Sequence, residues 1–196
     1  MTDQRNILYE FAFRGLLAEE ALDQAGRRPR SVSDFSDEAI ATSVSLDLLD
    51  DDLATEARRM SVVYTAIAAF ENSVRALITR VLLEKHGESW WDTCVPDRVR
   101  NRAKSRLEGE ERVKWHTQRG NDPINYIEFG DLISIVCNNT NWDEFEPYLH
   151  SADWAKSILK TMEQSRNVIM HSGSLERADI ERVGIHIRDW IKQVGA

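Results

Sequence analysis

The fold is decided by residues 53–86, LATEARRMSVVYTAIAAFENSVRALITRVLLEKH. This stretch contains no glycine and no proline. Its apolar residues Leu53, Ala57, Met60, Tyr64, Ile67, Val74, Ile78 and Leu82 recur at the three- and four-residue steps that line one face of an α-helix. At about 1.5 Å per residue such a helix is roughly 50 Å long. Gly87 marks its end. A membrane span needs roughly 20 apolar residues. The most apolar run here, Val62 to Phe70, is far shorter.

The flanking sequence reads as more helices. On the amino-terminal side, Asn6 to Ala25 carries Ile7, Phe11, Leu16 and Leu22 in a helical pattern, which Gly26-Arg27-Arg28-Pro29-Arg30-Ser31 breaks. Asp37 to Leu49 predicts a second, weaker helix. On the carboxy-terminal side, Trp90-Trp91 and Pro96 predict a turn. Arg98 to Gln118 predicts a polar helix, Phe129 to Val136 a short apolar one, and Trp142 to Pro147 a connecting loop. A strong helix is expected from Ser151-Ala152-Asp153 to His171, stopped by Ser172-Gly173-Ser174. A last one is expected from Leu175 to Val194, with Ile180, Val183, Ile187, Trp190 and Ile191 on one face. Nine glycines and four prolines in 196 residues are too few for the turns of an all-β protein. The expected architecture is all-α: an antiparallel helical bundle over residues 53–196, preceded by an acidic helical appendage over residues 1–52. A chain of this length can bury roughly 70% of its unfolded surface without disulfides or a structural metal.

The two cysteines, Cys94 and Cys137, make neither a disulfide framework nor a cysteine zinc site, and they fit a reducing compartment. Met1-Thr2-Asp3-Gln4-Arg5 is followed by no signal-peptide core, so a cytoplasmic protein with no membrane association is expected. The formal net charge is −8. An acidic chain argues weakly against nucleic-acid binding, but the charge is unevenly placed. Ser31 to Ala57 holds Asp34, Asp37, Glu38, Asp47, Asp50, Asp51, Asp52 and Glu56 with no lysine or arginine, which accounts for the whole −8. Pro96 to Arg119 holds Arg98, Arg100, Arg102, Lys104, Arg106, Arg112, Lys114 and Arg119 against four acids, a local +4. Such a stretch suits a phosphate backbone. It suits a solvated surface equally well.

Metal and phosphate-loop signatures are absent: no HExxH, no CxxC, no GxSxG and no glycine-rich loop. Of the five histidines only His171 has suggestive neighbours. It ends Arg166-Asn167-Val168-Ile169-Met170-His171, at a helix C-terminus whose dipole favours an imidazolium. Asn167 lies one turn earlier, where its amide could hydrogen-bond the imidazole. Arg166 falls on the apolar arc of Ala155, Ile158, Leu159, Met162 and Ile169. Glu71 falls on the apolar stripe of the long helix, with Arg75 one turn on. A charge on a core-facing position needs a partner. Glu71 is therefore expected to pair with Arg166 or Arg75. Trp90 and Trp91 are read as core residues, with base stacking the competing role.

Arg-Asn-x-x-x-His at the end of a helix in an all-helical bundle resembles the motif of the HEPN superfamily. The resemblance runs from about Leu53 to Val194. The segment from Glu71 to Arg75, then Gly87 and Trp90-Trp91, then Tyr126 to Leu132, is similar to the branch that ends nuclear messenger-RNA quality-control endonucleases. The resemblance implies a metal-independent endoribonuclease without cofactors, acting as a homodimer with a composite site. In it Arg166 would hold phosphate, His171 would do acid–base work, and Asn167 would orient the imidazole or the substrate. It also implies RNA as substrate and, in a bacterial toxin or anti-phage defence setting, an antitoxin or other partner protein. The competing function is a non-catalytic HEPN module that dimerises or binds a nucleotide in a larger assembly. A plain helical interaction protein is a third reading. If the acidic stretch opposes RNA binding, removal of residues 1–52 should tighten binding of a labelled RNA in an anisotropy titration. Unchanged affinity would refute that role.

Overall fold

The computed structural model describes residues 36–195, and every regular element among them is helical. Backbone contacts divide the chain into two units, with the boundary after Asp51. The helix expected over Asn6 to Ala25 lies outside the described residues.

Within the first unit, α1 (Asp37–Ser43) opens where the Ser36 hydroxyl accepts the Ala39 N–H at 3.2 Å. Asp37 and Glu38 occupy its first turn, where the helix dipole favours negative charge. The single helix expected to Leu49 is shorter than that. Ser45 takes a left-handed conformation (φ 54°), and a 3-10 turn over Leu46–Leu48 follows. The Thr42 and Ser43 hydroxyls bond back to the Glu38 and Ala39 carbonyls, a competition that weakens helices near their ends.

The second unit is built on α2 (Asp51–His86). It buries Met60, Val63, Ile67, Phe70, Val74, Leu77, Ile78, Val81 and Leu82. The stripe expected from sequence is correct at Met60 and from Ile67 onward, and wrong at Leu53, Ala57 and Tyr64. Leu53 is 73% exposed and Tyr64 37% exposed, while Val63 is buried. Positions 63 and 64 lie only 100° apart on the helix, so the packing partners decide which one turns inward. Gly87 ends the helix at φ 62°, a conformation that glycine adopts without the steric cost a side chain would bring.

α3 (Trp90–Cys94) replaces the expected turn, and it carries Trp90 into the core. Trp91 is half-buried, edge-on to Trp90 with ring centroids 5.5 Å apart. A buried indole cannot stack on a base, so Trp90 is a packing residue. α4 (Asp97–Glu111) stops seven residues before the expected Gln118. A 3-10 turn over Pro123–Tyr126 then packs back against α4. α5 (Phe129–Val136) buries Phe129, Leu132, Ile133, Ile135 and Val136 together with Asp131, and packs on α7 (Ala152–Met170). The expected loop after Trp142 is instead α6 (Trp142–Leu149), with Pro147 inside it. Proline removes one helical hydrogen bond. Complete burial of Phe145 and Leu149, four residues apart on one face, outweighs that loss. α8 (Arg177–Val194) closes the bundle, burying Val183 and Trp190 and leaving Ile191 exposed. Leu175, expected as its first residue, is a buried anchor before it. Among the described residues no helix is long and apolar enough to cross a membrane.

Asn141 ties three elements together. Its amide donates to the Cys94 carbonyl and to the Ile135 carbonyl, each at 2.9 Å, in the buried interior. Asn141→Ala leaves both carbonyls without a donor. Urea unfolding should show a loss of about 2 kcal/mol, in the range for orphaned buried polar groups.

Candidate functional site

α7 begins with the Ser151 hydroxyl accepting the Trp154 N–H at 3.2 Å, and it buries Ala155, Ile158, Leu159, Met162 and Ser165. Its last turns carry Arg166 to His171. His171 is the C-cap, its N–H donating to the Asn167 carbonyl at 3.1 Å. Ser172 turns left-handed (φ 61°), and the Gly173 N–H closes onto the Val168 carbonyl at 2.8 Å. A Cβ on Gly173 would lie 2.9 Å from that carbonyl oxygen. The glycine therefore permits the tight stop that ends the helix at the histidine.

Arg166 is half-buried, with its side chain 31% exposed, and its Nε lies 3.7 Å from Glu71 Oε2 on α2. Glu71 Oε1 receives Arg75 Nη2. Both side chains of that second pair are only 13% exposed. Arg75 Nη2 also donates to the Ile127 carbonyl at 2.9 Å, while Nη1 is buried without a partner. Burial pushes the Arg75 guanidinium below its ordinary pKa. Glu71 opposes that fall, and the charges of Arg166 and Arg119 add to it. The two pairings expected for Glu71 are thus both made.

The expected bond between Asn167 and His171 is not. The Asn167 side-chain oxygen Oδ1 instead accepts from Arg166 Nη1 at 3.5 Å. The His171 backbone (φ −99°, ψ 25°) has already left the helical region, so the one-turn side-chain register fails there. Asn167 and His171 are both exposed, and no hydrogen bond or ion pair engages the imidazole among the described residues.

The basic stretch is largely neutralised. Arg100 pairs with Asp97 and Asp92, and Arg102 with the buried Asp131. Arg106 pairs with Glu128 at 2.6 Å and Asp131 at 3.8 Å and also donates to the Tyr126 carbonyl. Lys104 approaches Glu108 at 3.9 Å, and Arg119 meets Glu110 at 2.7 Å. Arg98, Arg112 and Lys114 have no carboxylate partner among the described residues. The local +4 therefore overstates the free positive field, because Asp131 and Glu128 from the next element draw Arg102 and Arg106 inward. Trp115, unmarked by any sequence pattern, is the exposed aromatic of this region.

An apolar groove of about 590 Å³ runs between α2 and α8, past Ala66, Phe70, Ser73 and Trp190. Arg166, Asn167 and His171 do not line it. Among the described residues no group of three histidine, cysteine, aspartate or glutamate side chains could hold a metal ion.

A family model described as Swt1-like HEPN matches residues 65–195. Neither the curated proteins nor the solved structures yield a match. The Glu71 network makes a stability prediction. Glu71→Ala leaves Arg75 charged and half-buried beside Arg166 and should cost about 3 kcal/mol in urea unfolding. Glu71→Gln, whose amide oxygen still accepts from Arg75, should cost clearly less.

Proposed function

Since the chain belongs to the Swt1-like HEPN family, we propose that it is an endoribonuclease with Arg166, Asn167 and His171 as its active-site residues. One observation carries this reading. Arg166 lies 3.7 Å from a half-buried carboxylate, while His171, five residues on, stands exposed and unpaired among the described residues at the end of the same helix. A positioned cation and a free imidazole supply two of the roles that phosphodiester transfer by the 2′-hydroxyl requires.

In this mechanism the 2′-oxygen attacks the adjacent phosphorus as a base removes its proton. The arginine stabilises the charge that builds on the non-bridging oxygens. The 5′-oxygen leaves with a proton from an acid, giving a 2′,3′-cyclic phosphate and a 5′-hydroxyl. Acid and base must be different groups within one turnover, and each chain offers one motif histidine. Two copies related by a two-fold axis supply both, together with two Arg166 guanidinium groups. Val168 and Met170 flank His171 as exposed apolar side chains, suitable for such a contact. Glu71 and Arg75 act as positioning residues for Arg166. Residues 53–196 form the catalytic body of this proposal and residues 1–52 its appendage. The proposed setting is a bacterial toxin or defence effector restrained by a partner protein.

The non-catalytic HEPN module is favoured by one feature, the pairing of five of the eight cations between Arg98 and Arg119 with carboxylates. Incubation of the purified chain with RNA in EDTA decides between the two. The enzyme should cleave, and His171→Ala should lower the rate at least about 100-fold, as expected for loss of acid–base catalysis. Light scattering should show a dimer for both proteins. A strictly monomeric chain that still cleaves RNA would exclude the composite site.

A further inference from the structure

We propose that the turn Val113–His116 is a base-stacking platform for single-stranded RNA, with the Trp115 indole as the surface on which a nucleobase lies. The proposal deepens the ribonuclease reading and rests on it for the identity of the ligand.

Trp115 is 85% exposed, more than any other large hydrophobic residue described. An indole is among the largest apolar surfaces a side chain can offer, and leaving it in water is unfavourable unless something covers it. The loop is not loose chain. The His116 N–H donates to the Val113 carbonyl at 3.1 Å, which puts Lys114 and Trp115 at the tip of a closed turn. The His116 ring stands edge-on to the indole, with centroids 5.5 Å apart.

Below the tip the loop is fastened twice. Glu110 holds Arg119 through its Nε at 2.7 Å and its backbone N–H at 3.2 Å. The Tyr126 hydroxyl donates to the Gly120 carbonyl at 2.9 Å. Gly120 takes φ 144°, a backbone conformation that residues with a side chain rarely adopt, so glycine suits this crossing. A fixed base holding an exposed aromatic at its tip presents that ring without a large ordering cost on binding.

Charge selects the ligand class. Arg112 and Lys114 flank Trp115 and have no carboxylate partner among the described residues, and no acidic residue lies between Arg112 and Asn121. An aromatic face beside free cations fits a base and its phosphate on one strand. A base within a duplex is already stacked, so the platform selects unpaired nucleotides.

The base of the loop is linked to the motif through a relay of contacts. The Arg119 guanidinium lies over the Tyr126 ring at 5.9 Å. The next residue, Ile127, gives its carbonyl to Arg75, which shares Glu71 with Arg166. An RNA strand stacked on Trp115 would thus be seated on the same scaffold that holds the phosphate-binding arginine.

The test uses the full chain carrying His171→Ala, so that RNA is not consumed, and a fluorescein-labelled uridine oligonucleotide of about a dozen residues, a length suited to single-strand sites. Adding Trp115→Ala should weaken binding about tenfold in an anisotropy titration, while Trp115→Phe should retain most of the affinity. Replacing Arg112 and Lys114 by alanine should flatten the salt dependence by up to about two phosphate contacts. The proposal is overturned by no measurable binding in the parent, by a Trp115→Ala affinity within about twofold of it, or by an abasic oligonucleotide binding as tightly as the uridine one. It is also overturned if Trp115→Ala shifts the oligomeric state in light scattering, since the indole would then be covered by protein. The outcomes separate the two claims. RNA cleavage that depends on His171, with Trp115→Ala binding unchanged, removes the platform alone. Weakened binding by Trp115→Ala, with no cleavage by the unmodified chain, removes the ribonuclease alone.

Discussion

A carboxylate on the core-facing side of α2 constrains the rest of the bundle. Glu71 is nearly buried, and an ion in that position is tolerated only with partners. It takes two, Arg75 from its own helix and Arg166 from the end of α7. Arg75 in turn reaches the carbonyl of Ile127, just before α5. Apolar contact among Ile67, Phe70, Leu132, Ile158 and Met162 supplies most of the driving force, but it is non-directional. The charged contacts have defined atoms and angles. They tie the last turns of α7, which carry the motif, to α2.

The same logic redistributes the charges of the basic stretch. Asp131 is 1% exposed, and it accepts the Glu128 N–H while Arg102 and Arg106 converge on it. Those arginines are structural ties between α4 and the start of α5. Among the described residues, what faces solvent without a carboxylate partner is a smaller set, Arg98, Arg112 and Lys114. Electrostatic guidance of a polyanion depends on that residual set and not on the summed charge of the segment.

Most helices were legible because glycine, proline and apolar periodicity act locally. Phe129–Val136 coincides with its expected bounds, and the long helix begins only two residues before its expected Leu53. Misreadings occur where burial overrides local signals. Trp142 to Pro147 reads as a loop because of its acids and proline, yet Phe145 and Leu149 have a core to enter. Trp90 and Trp115 are indistinguishable by residue type. One is sealed in the core and the other stands at a turn tip, because α4 ends at Glu111 and the chain turns out before returning at Pro123.

The sequence by itself determined the all-helical class, the break at Gly87, the stop after His171 and the spacing of Arg166, Asn167 and His171. These follow from backbone preferences and helical geometry, which need no distant partner. It also marked Glu71 as a charge that had to be neutralised. Only the tertiary structure decided that both arginines answer it, that Asn167 turns to Arg166 and away from His171, and which cations and which tryptophan remain open to solvent. Those outcomes depend on residues brought together from helices far apart in the chain, and a carboxylate 20 or more positions away leaves no trace in local periodicity.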